Sequence, residues 1–179
     1  MIRDFMIKHR CKTPLFHEIS REFLAYLDNE RDISNDPAFI KELAHYEWVE
    51  LALSVLDAEV EPRTVAAEQD VLSLQFSTSP LAWPLAYNFP VHQIGPDFQP
   101  EQTSESPTYL LVYRNKDDSV TFLELNPVST RLIELLNDGL SGQDAAEQIA
   151  QELQHPNPEF VIEGARGLIT DWLQREILV

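Results

Sequence analysis

Four stretches of the chain space apolar side chains three or four residues apart, and each one follows a capping residue and a proline. The pairs are Thr13-Pro14, Asp36-Pro37, Asn126-Pro127 and Asn157-Pro158. Proline at the first helical position loses no hydrogen bond that the helix needs, and the residue before it can accept from exposed backbone donors. The pattern therefore predicts four helix starts.

The first two of these helices form a predicted helical hairpin. Their apolar stripes are Leu15, Ile19, Phe23 and Leu27 in one helix and Phe39, Leu43, Tyr46, Leu53 and Leu56 in the other. The acidic segment 57–70 is only weakly periodic and contains a proline, which is typical of a connector with room for a short helix. We assign residues 1–72 to a helical domain.

Prolines are frequent between residues 80 and 107 and leave little room for a helix. Residues 86–94 contain enough apolar positions for a short strand, which Pro90 would confine to a sheet edge. We assign 73–107 to a Pro-rich connector with one short strand.

The last part of the chain begins with the clearest β-hairpin of the sequence. Runs 108–113 and 120–125 are rich in strand-forming residues, and the polar residues between them favour a turn. Three helices are predicted to follow: one ends at Gly139, one begins at Ser141, and one follows Asn157. Their inward stripes are Val128, Leu132, Leu135 and Leu136, then Ala145, Ile149 and Leu153, then Val161, Ala165, Leu168, Ile169, Trp172 and Leu173. Residues 108–179 thus form a predicted winged-helix-like domain, and the fold class is α+β.

Composition and charge exclude several classes of function. Thirteen basic residues against thirty acidic ones give a net charge of -17, and repulsion from phosphate argues against nucleic acid as the main ligand. Five glycines and twelve prolines leave few phosphate-cradling loops, which argues against dinucleotide and P-loop enzymes. Cys11 is the single cysteine, so an internal disulfide is excluded. No apolar run approaches the roughly 20 residues of a membrane helix, and without a leader at Met1 we expect a cytoplasmic protein.

Two candidate chemical sites are weak. Glu42 and His45 have the spacing with which di-iron carboxylate proteins present two metal ligands, but such a site needs the motif twice and it occurs once. A hydrogen-bonded structural His45 is the favoured interpretation. Cys11 lies among cations that can lower a thiol pKa, yet no second catalytic residue accompanies it. We therefore expect no catalytic residue, no metal and no cofactor in this chain.

A hairpin followed by three helices is compatible with two functions. A winged helix would read DNA with the helix after Asn157, as a transcriptional regulator does. Residues 126–179 carry nine acids and three arginines, a net charge of -6, which opposes a groove-reading role. The other function is peptide binding, in which an extended segment adds a strand to an open sheet edge beside the long helix. DNA binding stays the alternative hypothesis.

Three segments resemble the HvfC/BufC family of peptide-modification chaperones, which has long been catalogued as putative DNA-binding proteins. They are TPLFHEISREFLAYL at 13–27, FIKELAHYEWVELAL at 39–53 and LAWPLAYNFPVH at 81–92. The resemblance implies a partner, a multinuclear non-haem iron enzyme of the methanobactin-synthesis type, and a ribosomally made precursor peptide whose cysteines that enzyme modifies. The iron would belong to the partner.

The family has further helical sequence before the segment that begins here at Met1, so the resemblance implies an N-terminally shortened member. Residues 1–12 would then be the tail of a helix with missing neighbours. We expect exposed apolar surface on these N-terminal helices and a homodimer or aggregation through it.

The C-terminal part also resembles the PqqD-type peptide-recognition fold, through the strand 120–125 and the segment NPVSTRLIELLNDG at 126–139. In that fold the leader peptide pairs with the last strand and lies against the third helix. The resemblance implies a peptide-binding groove, with either face of the strand open. Its residues would be Val120, Thr121, Phe122, Leu123, Glu124, Phe160, Gly164, Gly167 and Leu168.

Overall fold

The computed structural model describes all 179 residues and contains six α-helices and a three-stranded antiparallel sheet, so the α+β class is confirmed. In chain order the elements are α1 (Ile2–Lys8), α2 (Ile19–Asn29), α3 (Ile40–Ser54), β1 (Ala82–Tyr87), β2 (Thr108–Arg114), β3 (Val120–Leu125), α4 (Pro127–Asn137), α5 (Gly142–Glu152) and α6 (Pro158–Gln174). None of these helices combines the length and the apolar character that a membrane span needs.

The chain folds into two compact units that are discontinuous in sequence. The first unit consists of residues 1–55 and 86–108, and the second of residues 56–85 and 109–179. The segment assigned to a Pro-rich connector, 73–107, is thus shared: its first part belongs to the second unit and the remainder to the first.

Two of the four predicted helix starts are right. Asn126 caps α4, where its side chain accepts from the Ser129 N–H at 2.8 Å and Pro127 occupies the first turn. Pro158 likewise opens α6 after Asn157, although the Asn157 side chain makes no capping hydrogen bond. Helix starts of this kind are fixed by local chemistry, which explains why the sequence predicts them.

The other two starts are wrong because side chains five residues away in the sequence engage the predicted capping side chains. The Thr13 hydroxyl donates to Glu18 at 2.7 Å, and α2 begins only at Ile19 after a short 3-10 turn. The Asp36 carboxylate accepts from Arg31 at 2.8 Å, and α3 begins at Ile40. As a result Leu15, predicted to lie inward, is exposed.

The first unit has an aromatic core in which α1 packs on α2. Phe5, Tyr26 and Leu27 are buried, and Ile19 and Phe23 pack against them. The ring of Phe5 meets the ring of Phe23 edge to face at 5.3 Å between centroids. Edge-to-face pairs of this kind add to the stabilisation that comes from the buried area itself.

Three carboxylates beside this core accept hydrogen bonds from side chains or backbone N–H groups of the first unit. Arg31 donates to Asp36 at 2.8 Å and to Asp4 at 3.0 Å, and hydrogen bonds from Arg31 lower the pKa of Asp36. The hydroxyl of Tyr26 is the main cause that lowers the pKa of Asp4. Backbone N–H donation, first from Lys12, lowers the pKa of Glu22. All three groups are therefore stabilised in their charged form.

We expect the first unit to lose stability in acid. The folded-state pKa values of Asp4, Glu22 and Asp36 lie below their usual values, which in the unfolded chain are about 4. Their contribution is present above that value and is lost as the pH falls through the lower folded pKa. Urea denaturation between about pH 3 and pH 7, followed by the NMR signals of Tyr26, should show this decline. Asp36→Asn should flatten the decline, and an unchanged slope in that variant would contradict the assignment.

The sheet, most of which belongs to the second unit, has the strand order β1-β2-β3, so β2 is central and β3 lies at an edge. Strands β2 and β3 pair antiparallel from Tyr109 opposite Leu125 to Arg114 opposite Val120, as the predicted hairpin requires. In the turn between them, the Asn115 side chain accepts from the Asp117 and Ser119 N–H groups.

The predicted strand at 86–94 is misplaced, because the structure has β1 at Ala82–Tyr87. Pro84 is tolerated there since β1 forms the other edge of the sheet.

One face of the sheet and helices α4, α5 and α6 enclose the core of the second unit. Its largest fully buried side chains include Leu111, Leu132, Ile169 and Trp172. Most of the predicted inward stripe is confirmed, but Val128 and Leu153 are exposed. Both belong to the pocket described below.

Candidate functional site

The backbone N–H and C=O groups of β3 point alternately toward β2 and toward the outer edge of the sheet. The Asn115 N–H donates to the Ser119 carbonyl at 3.0 Å, and the Arg114 N–H donates away from β3, to Leu81. Because residues alternate along an antiparallel pair, the N–H and C=O groups of Thr121 and Leu123 face β2. Those of Val120, Phe122 and Glu124 point toward the outer edge of the sheet.

The side chains of β3 divide between the two faces of the sheet. Leu123 lies opposite Leu111 and packs against the core of the second unit, and Thr121 lies opposite the buried Tyr113 on the same face. Val120, Phe122 and Glu124 are on the other face because side chains alternate along a strand. The interior face of β3 is therefore the one that carries Thr121 and Leu123.

An apolar pocket of about 270 Å³ lies among α4, α6 and the α5–α6 loop. Phe160, Gly164 and Leu168, three of the four helix residues predicted to bind peptide, line it. Gly167, the fourth, is exposed and does not line it. Asn126, directly after β3, also lines the pocket, so the end of the strand leads to it. Peptide binding by these residues stays a prediction.

Sequence reasoning did not assign the other residues of the pocket wall to a binding site, among them Val128, Leu153 and His155. The ring of His155 stacks on the ring of Phe160 at 5.8 Å between centroids. Val128 and Leu153 have helical spacing with core residues, so periodicity alone assigns them to the core. Val128 and Leu153 are exposed because the start of α4, the end of α5 and the start of α6 meet here around the pocket.

The surface around the pocket is acidic. Between residues 117 and 179 there is no lysine, and each of the three arginines is in an ion pair. Arg131 pairs with Glu134 and Glu152, Arg166 with Asp70 and Glu163, and Arg175 with Asp171. Hydrogen bonds to Glu152 and Glu134 raise the pKa of Arg131. The remaining acids give this surface a negative potential.

Glu42 and His45 hold a loop of the first unit. The Glu42 carboxylate accepts from the Asn88 side chain at 2.7 Å and from the Phe89 N–H at 3.0 Å. His45 Nδ1 lies 2.9 Å from the hydroxyl of Tyr87, and burial lowers the pKa of His45 and raises that of Tyr87. No group of three or more His, Cys, Asp or Glu side chains in the structure could hold a metal ion.

Glu42→Ala should destabilise the first unit. The change leaves the Phe89 N–H and the Asn88 amide without their acceptor, and hydrogen bonds to charged groups contribute about 1.5–3 kcal/mol. Urea denaturation measures the loss. Glu47→Ala, at an exposed position of the same helix, is the matched control and should cost less than about 0.5 kcal/mol. Equal stability of the two variants would show that the Glu42 contacts contribute nothing.

Cys11 has the character of an unreactive thiol. Desolvation is the main cause that raises its pKa, and the nearby Glu22 raises it further. The cations beside Cys11 in sequence do not outweigh these effects. Nucleophilic cysteines need the opposite shift.

A family model described as the HvfC C-terminal domain matches residues 79–173, slightly more than half of the chain. The chain belongs to the HvfC family. The matched region runs from the segment before β1 almost to the end of α6 and contains both β3 and the apolar pocket. The HvfC family is linked to peptide modification. No curated protein matches the chain.

Proposed function

We propose that this HvfC protein is a non-enzymatic adaptor that binds a ribosomally made precursor peptide. The observation that carries the proposal is the edge position of β3, whose end leads to an apolar pocket. An extended peptide can add to such an edge through main-chain hydrogen bonds, while a pocket beside the edge supplies selectivity for side chains. This function needs no catalytic residue and no cofactor in the chain.

The partner that we propose is a multinuclear non-haem iron enzyme, to which the adaptor delivers the precursor for modification of its cysteines. Membership of the HvfC family supports this partner, since the family is linked to peptide modification. The iron would reside in the partner enzyme. The acidic surface of the second unit weighs against the rival function, duplex DNA binding, because phosphates would be repelled.

Co-expression tests the proposal. A tagged chain is co-expressed with its neighbouring genes, including any that encode an iron enzyme or a short cysteine-rich peptide, and captured proteins are identified by mass spectrometry. We expect both to be retained. Recovery of neither, from a chain shown to be folded by circular dichroism, would contradict the proposal. A mobility shift with genomic duplexes that weakens steeply with salt would favour the DNA-binding rival instead.

A further inference from the structure

The exposed large apolar side chains of the second unit all converge on the apolar pocket. They are Val128, Leu153 and Phe160, with 36%, 50% and 71% of their surface exposed. Surface hydrophobic residues are ordinarily scattered singly, and a contiguous group marks an interaction site. With about 270 Å³, the pocket is smaller than the roughly 300–1,000 Å³ of small-molecule sites. Its size suits one or two apolar side chains of a larger ligand.

The charges beside the pocket indicate which groups of a ligand should lie next to the apolar side chain that enters the pocket, here called the apolar anchor. Glu159 and Glu163 are exposed on the first turns of α6, next to Phe160 and Gly164 of the pocket wall. The nearest cation of the same helix, Arg166, is held by Glu163 and by Asp70 of the same unit. A ligand with cationic groups near its apolar anchor therefore meets a complementary potential, whereas an acidic ligand is repelled.

We propose that this pocket binds one large apolar side chain of an extended peptide and selects peptides that carry Lys or Arg close to that anchor. The proposal rests on the proposed function and adds a recognition rule to it. Main-chain pairing with β3 is indifferent to sequence, so the pocket and its acidic rim would supply the specificity. Because Asn126 both follows β3 and lines the pocket, the anchor would lie beyond the paired segment.

A selection with random peptides tests this rule. Phage-displayed 12-residue peptides are selected on the full chain, and synthetic fluorescent copies of the enriched sequences are titrated by anisotropy. We expect enriched sequences to share a Leu, Ile, Phe, Met or Trp with Lys or Arg within three positions. Phe160→Ser and Leu153→Ser should weaken binding at least about tenfold, as loss of a buried anchor contact does. The control Phe98→Ser, at an exposed phenylalanine of the first unit, should leave affinity unchanged.

Charge is tested separately. The double variant Glu159→Gln with Glu163→Gln should weaken binding of the same peptides, whereas Glu101→Gln with Glu105→Gln, in the first unit, should not. The proposal is overturned if no peptide is enriched, if enriched peptides lack the apolar anchor or carry acidic flanks, or if Phe160→Ser and Leu153→Ser bind as the parent chain does.

The cognate precursor distinguishes this proposal from the proposed function. If the parent chain and Phe160→Ser bind the precursor equally, the adaptor function stands and the pocket rule is wrong. If the parent chain does not bind the precursor but binds basic apolar peptides through the pocket, the recognition rule stands and the adaptor function is wrong.

Discussion

Trp172→Ala should lower the free energy of unfolding of the second unit by about 3–5 kcal/mol, the usual cost of truncating a buried aromatic residue. Trp172 is 1% exposed and lies in the core formed by the sheet and helices α4, α5 and α6. Its removal leaves a cavity that the close-packed surroundings can fill only in part. Urea denaturation followed by far-ultraviolet circular dichroism measures the effect without depending on the lost fluorophore.

Phe160→Ala is the matched control, since it truncates an aromatic residue of the same helix that is 71% exposed. We expect this control to change stability by no more than about 0.5 kcal/mol and to weaken only peptide binding. The two substitutions thus separate the folding role of α6 from its binding role. If Trp172→Ala were no more destabilising than the control, the described core would be wrong.

Val120→Pro should abolish strand addition at β3 and weaken binding of the precursor peptide about tenfold or more, because several effects act together. The substitution removes an outward N–H group, and one hydrogen bond contributes about 0.5–1.5 kcal/mol. The proline ring also obstructs an approaching strand, and proline is accepted at the first position of an edge strand. Isothermal titration calorimetry measures the affinity, and circular dichroism checks the fold.

Val120→Thr keeps both the β-branched shape and the N–H group and should bind as the parent chain does. Thr121→Pro provides a contrast, since the Thr121 N–H faces β2 and its loss should destabilise the hairpin itself. Tight binding of the precursor by a folded Val120→Pro variant would show that the peptide does not use this edge.

The sequence predicts those parts of the fold that local chemistry determines. The hairpin is found because two β-rich runs flank a turn that Asn115 organises through its own backbone neighbours. Helix α4 is found because Asn126 caps its start and Gly139 follows its end with a positive φ of 90°. In both cases every contact that matters lies within a few residues along the chain.

The errors occur where a competing side chain or the packing of distant elements decides the structure. Asp36 binds Arg31 instead of capping a helix, and Pro84 enters a strand because that strand lies at a sheet edge. The pocket is missed for a related reason, since Val128 and Leu153 have the spacing of core residues and are exposed only by the way three helices meet. Periodicity tells which face of a helix is apolar but not what covers it.

Intermolecular nuclear Overhauser effects between isotope-labelled protein and unlabelled precursor peptide test the central claim most directly. We predict cross-strand contacts between the peptide backbone and β3 at Val120, Phe122 and Glu124, together with contacts from one apolar peptide side chain to Phe160. A saturated complex whose contacts lie elsewhere on the chain, with none to β3, would contradict the account.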